Sequence, residues 1–232
     1  MSFNPFRIPA RWLRRRPRAN QQITIPSLHL GSDYGGYAVA SDLVTRDSVV
    51  YSFGIGEDLS FDLALIERFG CAVHAFDPTP RSLAWAKTQA LPENLHIHGV
   101  GLADHDGIAS FSPPANPKHV SHSLTARNGA ERIEFEVKSL DTLMRELCHD
   151  RIDILKMDIE GAEYPVIDQL AHGATRPAQI LLEFHHQLPG VTVARTDRAL
   201  RTLGQLGYKI FHCQPSGHEF SLVHQAWMTT LA

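Results

Sequence analysis

From residue 23 onward, short apolar runs alternate with stretches whose apolar residues recur at helical spacing. VVYSFGI (49–55) joins β-branched to aromatic residues and ends at glycine, which predicts a buried strand. FDLALIERFG (61–70) has apolar residues at 61, 63, 65, 66 and 69, a helical stripe with Gly70 as its C-cap. CAVHAF (71–76) predicts a second strand, stopped by Asp77 and Pro78. SLAWAKTQA (82–90) predicts a second helix with Ser82 as N-cap, and LHIHGVGL (95–102) a third strand. This β-α-β-α-β order predicts a parallel sheet with crossover helices.

IDILKMD (152–158) and AQILLEFHH (178–186) add two strands, and a helix is expected over 193–206. YKIFHC (208–213) and FSLVHQAWM (220–228), parted by the turn-rich QPSGHE, predict an antiparallel hairpin that closes the sheet. Residues 106–138 break the rhythm with a Pro/His/Ser-rich loop and the alternating strand RIEFEVK. The expected division is a basic, flexible tail over 1–22 and one domain over 23–232. The inserted region 106–138 is the candidate acceptor-binding part, above all NPKHVSHSLTARN (116–128), a long polar loop on the functional edge.

Composition narrows the classes. A chain of 232 residues suits one sizeable core, and 43% hydrophobic with 20% charged residues is a soluble, globular balance. A net charge of -3 gives no bulk reason to expect nucleic acid, and no apolar stretch approaches the length of a membrane span. Cys71, Cys148 and Cys213 are too few and too scattered for a disulfide framework or a thiolate metal site, so a reducing cytoplasm is the expected home. The first twenty residues hold six arginines and no acid, with prolines at 5, 9 and 17 that argue against a continuous helix. The alternative to a solvated tail is a peripheral contact in which Phe3, Phe6, Trp12 and Leu13 touch a membrane and the arginines meet anionic lipid.

The chemistry starts at YSFGIGEDLSFD (51–62), a strand-to-helix turn at the carboxyl end of the first strand, where open α/β sheets bind ligands. Gly54 and Gly56 let the backbone turn sharply, and Asp77 ends the next strand where an acid accepts the ribose hydroxyls of a nucleoside. No GK[ST] is present for a P-loop, and Leu59 occupies the third glycine position of a dinucleotide fingerprint. Glu57 and Asp58 would repel a pyrophosphate, whereas S-adenosylmethionine carries an adenosine, no phosphate, and cationic sulfonium and amino groups.

YSFGIGEDLSFD, FGCAVHAFDPTP, GLADHDG, ILKMDIEGAEY and LLEFHH, in that order, together with GSDYGGYAV (31–39), resemble the FkbM-type S-adenosylmethionine-dependent methyltransferases. The resemblance implies a class I, Rossmann-like three-layer α/β sandwich with strand order 3-2-1-4-5-7-6 and strand seven antiparallel. It places Tyr37, Phe53, Gly54, Gly56, Asp58, Asp77, Pro78, Gly101, Leu102 and Asp158 at the donor, with Tyr37 closing over it. It also implies O-methylation of a sugar, glycan or secondary metabolite. Against this stand an NAD(P)-dependent oxidoreductase and a non-catalytic donor-binding or assembly module.

In the implied strand order, Asp158, Glu183 and His185 converge at the carboxyl edge of adjacent strands, since alternation puts Glu183 and His185 on one face. Three readings stay open for them. His185 acts as general base with Asp158 or Glu183 fixing its tautomer; or the three hold a divalent metal; or they form a buried polar network. Glu160 and Glu163 are expected to cap the next helix, Lys156 to pair with Asp158, and His186 to pack on the opposite face.

Overall fold

The computed structural model describes residues 16–111 and 133–228. Residues 1–15 of the basic segment, with Phe3, Phe6, Trp12 and Leu13, and the loop 116–128 lie outside the described residues.

The central sheet has seven strands. In spatial order they are β11 (Tyr208–Cys213), β12 (Glu219–His224), β10 (Gln179–Glu183), β9 (Ile154–Met157), β3 (Val49–Phe53), β4 (Ala72–Phe76) and β5 (Leu95–His98). Only β12 runs antiparallel to its neighbours in this sheet, so the class I methyltransferase order implied by the motifs is the observed one. Two smaller sheets flank it. β1 (Leu28–Leu30) and β2 (Tyr37–Val39) form a hairpin, and β6 (Gly101–Leu102), β7 (Gly107–Phe111) and β8 (Ile133–Lys138) form a three-stranded sheet.

Alternation along the strands builds two cores. Tyr51 and Phe53 of β3 face helices α3 (Leu140–Glu146), α4 (Glu163–His172) and α5 (Val193–Gln205), while Val50 faces α1 (Ser60–Phe69), α2 (Pro80–Ala86) and the β1–β2 hairpin. Gln179 ties that hairpin down, accepting from the Ala40 amide at 2.8 Å and donating to its carbonyl at 3.2 Å. Further upstream, the Gln22 and Ile23 amides donate to the Ile210 carbonyl and the Arg18 amide to Asp197, so residues 18–23 run against the domain.

Several element boundaries differ from the expected ones. Gly70 caps α1 at φ 69°, as its position suggested, but α2 begins at Pro80 with Thr79 at the N-cap. Proline's fixed φ suits the first helical position; Ser82 is buried one turn in, bonded to the Thr79 hydroxyl at 2.7 Å. The third strand divides, because the chain leaves β5 at Gly99 and Val100 and Gly101–Leu102 pairs instead with Val137–Lys138. The last strand stops at His224, opposite Tyr208, the first residue of β11; the Gln225 amide makes one further bond to the Gly207 carbonyl at 2.9 Å, and α6 (Gln225–Met228) follows. Among the described residues, no helix is long and apolar enough to cross a membrane.

Candidate active site

The loops leaving β3, β4 and β9 at their carboxyl ends enclose a cavity. Gly54 to Asp58, Phe76 to Thr79, and Asp158 to Glu160 line it from three sides. Phe53, Pro78, Leu102 and Phe111 make its apolar wall, and Phe53 stacks on Phe76 with ring centroids 4.4 Å apart. Gly54 sits at φ 87°, and a Cβ there would overlap the Asp158 carbonyl oxygen, so only glycine lets the two loops approach this closely. Lys156 Nζ donates to the carbonyls of Phe53 and Gly54 at 3.2 and 2.9 Å. It pins the turn from behind and does not pair with Asp158 as expected, because two aimed carbonyls lie nearer.

The expected donor acids are engaged by the chain itself. Asp77 Oδ2 accepts from the Gly56 amide at 3.0 Å, and Oδ1 accepts from the Thr79 amide and hydroxyl at 2.8 and 2.6 Å. Asp58 accepts from the Ser60 amide at 2.7 Å and the Ser32 hydroxyl at 2.6 Å. Burial works to raise the Asp58 pKa, but the bonds from Ser32 and Ser60 and the nearby Lys156 charge hold it lower. Glu57 pairs with Arg81 at 2.7 Å on the exposed rim.

Two residues at this end were not singled out by the sequence. Asp62, in the first turn of α1, lines the cavity at 3% exposure, and its Oδ1 has no hydrogen-bond partner among the described residues. The signal was an acid on the same helical face as Leu65, Ile66 and Phe69. Tyr34, 83% exposed, lines the cavity, whereas Tyr37 is buried in β2, edge-on to Phe61 at 5.5 Å, and is not among the lining residues. The expected aromatic cover therefore falls three residues earlier: the 31–36 turn reaches the cavity, and β2 is packed into the core.

Beside Asp158, a second cluster forms. One ligand atom each from Asp158, Glu183 and His185 lie within 4.8 Å of one another. His185 Nδ1 is 2.8 Å from Glu163, and its Nε2 is 3.5 Å from Asp158 and 3.7 Å from Glu160. Fully buried Glu163 also accepts from the amides of Ile159 and Gly161. Instead of the expected helix cap, these bonds secure the turn ahead of α4, and Glu163 also orients the imidazole, a role expected of Asp158 or Glu183. Glu160 takes the left-handed region at φ 50°, uncommon for a residue with a side chain, where the chain reverses between β9 and α4. His186 packs away from this cluster against His218, with ring centroids 4.3 Å apart.

Residues 48–210 match the Methyltransferase FkbM domain, well over half of the chain. The chain belongs to the FkbM methyltransferase family. It is 26% identical over 188 residues to probable methyltransferase-like protein 24 of Rattus norvegicus, covering 76% of this chain and 46% of that one. The AMB antimetabolite synthetase AmbE of Pseudomonas aeruginosa is 32% identical over 204 residues, 71% of this chain and 10% of that protein. The chain thus spans less than half the length of these curated relatives. Among solved structures, Methyltransferase FkbM from Methylobacillus flagellatus superposes with a TM-score of 0.49 at 14% identity, covering 78% of this chain and 44% of that one. The FkbM match takes in the glycine turn, Asp62, Asp158, Glu183 and His185; Tyr34 and Glu219 lie outside it.

The electrostatics of the FkbM cluster are set by crowding. Burial alone would lower the His185 pKa, but Glu163, Glu160 and Asp158 outweigh it and push the imidazole up to about 10. Burial and the Asp158 charge push Glu183 up to about 7, opposed by His185 and Lys156. Glu219, its cross-strand partner, rises to about 7 through burial and Asp158.

Proposed function

We propose that this chain transfers a methyl group from S-adenosylmethionine to a hydroxyl on a sugar, glycan or other secondary metabolite. The observation that carries the reading is Asp62, a buried acid whose Oδ1 has no hydrogen-bond partner among the described residues, lining a cavity with five further acids, Glu57, Asp58, Asp77, Asp158 and Glu160. The one lysine lining it is bonded to backbone carbonyls. Such a lining disfavours a pyrophosphate and favours a cationic ligand.

Bound there, S-adenosylmethionine supplies a methyl group activated by the positive charge on its sulfur. Asp62 would take the amino group of its methionine end, and Asp77 with the Gly56 turn would orient the ribose. Phe53, Pro78 and Leu102 would pack on the adenine. Asp158 and Glu183 border the end where the acceptor enters, and the hydroxyl proton would leave there to water. Positioning for in-line displacement is the main contribution asked of the protein. The name of the AmbE relative, an antimetabolite synthetase, is in keeping with a secondary-metabolite acceptor.

Calorimetric titration with S-adenosylhomocysteine and, separately, NADH tests the donor. Saturable binding of S-adenosylhomocysteine alone is the expected result; binding of NADH alone would reject the reading in favour of the oxidoreductase. Donor binding with no methyl transferred across a hydroxylated acceptor panel would favour a binding module.

A further inference from the structure

We propose that Asp158, Glu183 and His185 bind one divalent cation of the Mn²⁺ or Mg²⁺ type beside the donor cavity. Among the described residues, this is the one set of three such side chains whose ligand atoms lie within 4.8 Å of one another. Oxygen and nitrogen ligands sit about 2.0–2.3 Å from such ions, so neighbouring ligand atoms fall roughly 3–3.5 Å apart and opposite ones somewhat over 4 Å. The 3.5 Å from His185 Nε2 to Asp158 fits two ligands of a common ion. It is too long for the direct charge-assisted bond, about 2.7–2.9 Å, that a simple ion pair would form.

The imidazole gives a second, independent indication. His185 is 4% exposed, and its Nε2 points into the cluster without making a hydrogen bond among the described residues. Its Nδ1 is held at 2.8 Å by fully buried Glu163. An acid on one imidazole nitrogen, leaving the other for an ion, is the arrangement that orients histidine ligands in metal sites. The two carboxylates and one imidazole, with no thiolate, suit hard to borderline divalent ions.

Charge points the same way. Asp158, Glu160 and Glu163 lie within 3.7 Å of one imidazole, Glu183 of the same cluster has Glu219 as its cross-strand partner, and the Lys156 ammonium is taken by the Phe53 and Gly54 carbonyls. The ligands stand at the ends of adjacent strands β9 and β10, a rigid base for a site. Three protein ligands leave other positions for water and for an acceptor hydroxyl, which the ion would acidify before attack. In that step the hydroxyl oxygen gains the methyl carbon, sulfur keeps the electrons of the broken S–C bond, and the proton leaves to water. The step rests on the methyl-transfer reading; cation binding does not.

Mn²⁺ titrated into the metal-stripped full chain, read from the loss of the free-ion paramagnetic signal, tests the site, with S-adenosylhomocysteine calorimetry in parallel. One Mn²⁺ per chain is expected, displaced by excess Mg²⁺. Glu183→Gln should weaken Mn²⁺ binding by about tenfold or more, and Glu163→Gln by about tenfold, with S-adenosylhomocysteine affinity unchanged. Glu67→Gln, an exposed acid on α1, should leave Mn²⁺ binding unaltered. Thermal unfolding checks that each variant is folded; should Glu163→Gln not fold, the partly exposed Glu183 still decides the matter. No saturable binding at millimolar Mn²⁺ in a chain that binds S-adenosylhomocysteine would overturn the proposal. So would equal Mn²⁺ affinities for the wild type and Glu183→Gln. Mn²⁺ binding in a chain that ignores S-adenosylhomocysteine would uphold the cation site and sink the donor reading instead.

Discussion

At the glycine-turn end of the cavity, Asp58 and Asp77 each use both carboxylate oxygens to bond the chain, through Ser32, Ser60, Gly56 and Thr79. At the β9–β10 edge, Asp158 and Glu160 stand 3.5 and 3.7 Å from His185 Nε2, beyond direct bonding, and the Glu183 and Glu219 pKa values rise. Carboxylates at the first end shape a cavity; at the second they accumulate charge. A rise in pKa marks a carboxylate whose ionised form is disfavoured by burial and by like charge nearby. Asp62 is the exception at the first end, a buried acid whose Oδ1 has no partner among the described residues.

Substitutions should separate these two uses. The largest effect is expected from Gly54→Ala, whose Cβ overlaps the Asp158 carbonyl at a positive φ. It should cost about 3 kcal/mol of stability and abolish S-adenosylhomocysteine binding, read by thermal unfolding and calorimetry. Asp77→Ala removes three hydrogen bonds from the two loops. Both stability and donor affinity should fall, by about 1–3 kcal/mol; loss of donor affinity with an unchanged melting temperature would contradict its shaping role.

Asp62→Asn should behave in the opposite sense. Donor affinity drops by about tenfold or more as the charged partner is lost, while the melting temperature holds or rises because a buried, incompletely satisfied carboxylate is gone. A fall in both would place Asp62 with the shaping acids.

A smaller effect concerns pH. Behind the donor wall, Phe76 stacks on His98, which lies 3.1 Å from His74. Burial, then His149, His96 and His98, push the His74 pKa down to about 3, against about 6.5 in an unfolded chain. Between those values the unfolded state binds more protons. The His74 contribution to stability is therefore constant above pH 6.5 and declines as pH falls toward 3. His74→Phe should flatten that decline in chemical-denaturation midpoints. Tyr34→Ala should have the least effect on stability, within about 0.5 kcal/mol, because the ring is exposed. If Tyr34 covers the cavity, release of S-adenosylhomocysteine in stopped flow should quicken.

Much of the fold was legible in the residues because period-two and helical patterns are local. The apolar runs placed β3, β4, β9 and β10, and Gly70 marked the end of α1. Errors came where a neighbour's partner decided the outcome. FSLVHQAWM reads as one strand, yet β12 ends opposite the first residue of β11 and the chain turns into α6. Lys156 sits two residues from Asp158, yet its ammonium goes to carbonyls contributed by β3. Asp158, Glu183 and His185 were drawn together correctly, since strand alternation and the implied strand order suffice. Glu163 as orienter was hidden, because capping accounts for an acid at a helix start and its imidazole partner is 22 residues away.

By itself, then, the sequence determined the strand and helix rhythm, the glycine turn with its acids, and the motif set that marks the FkbM family. Those are properties of spacing along the chain. Only the tertiary structure decided which acids are used up by backbone amides and hydroxyls, which remain unpartnered, and which ring stands at the entrance. A carboxylate's role depends on what lies within about 3 Å of it in space, and the neighbours that decide for Asp77 and Glu163, Gly56 and His185, lie 21 and 22 residues away along the chain.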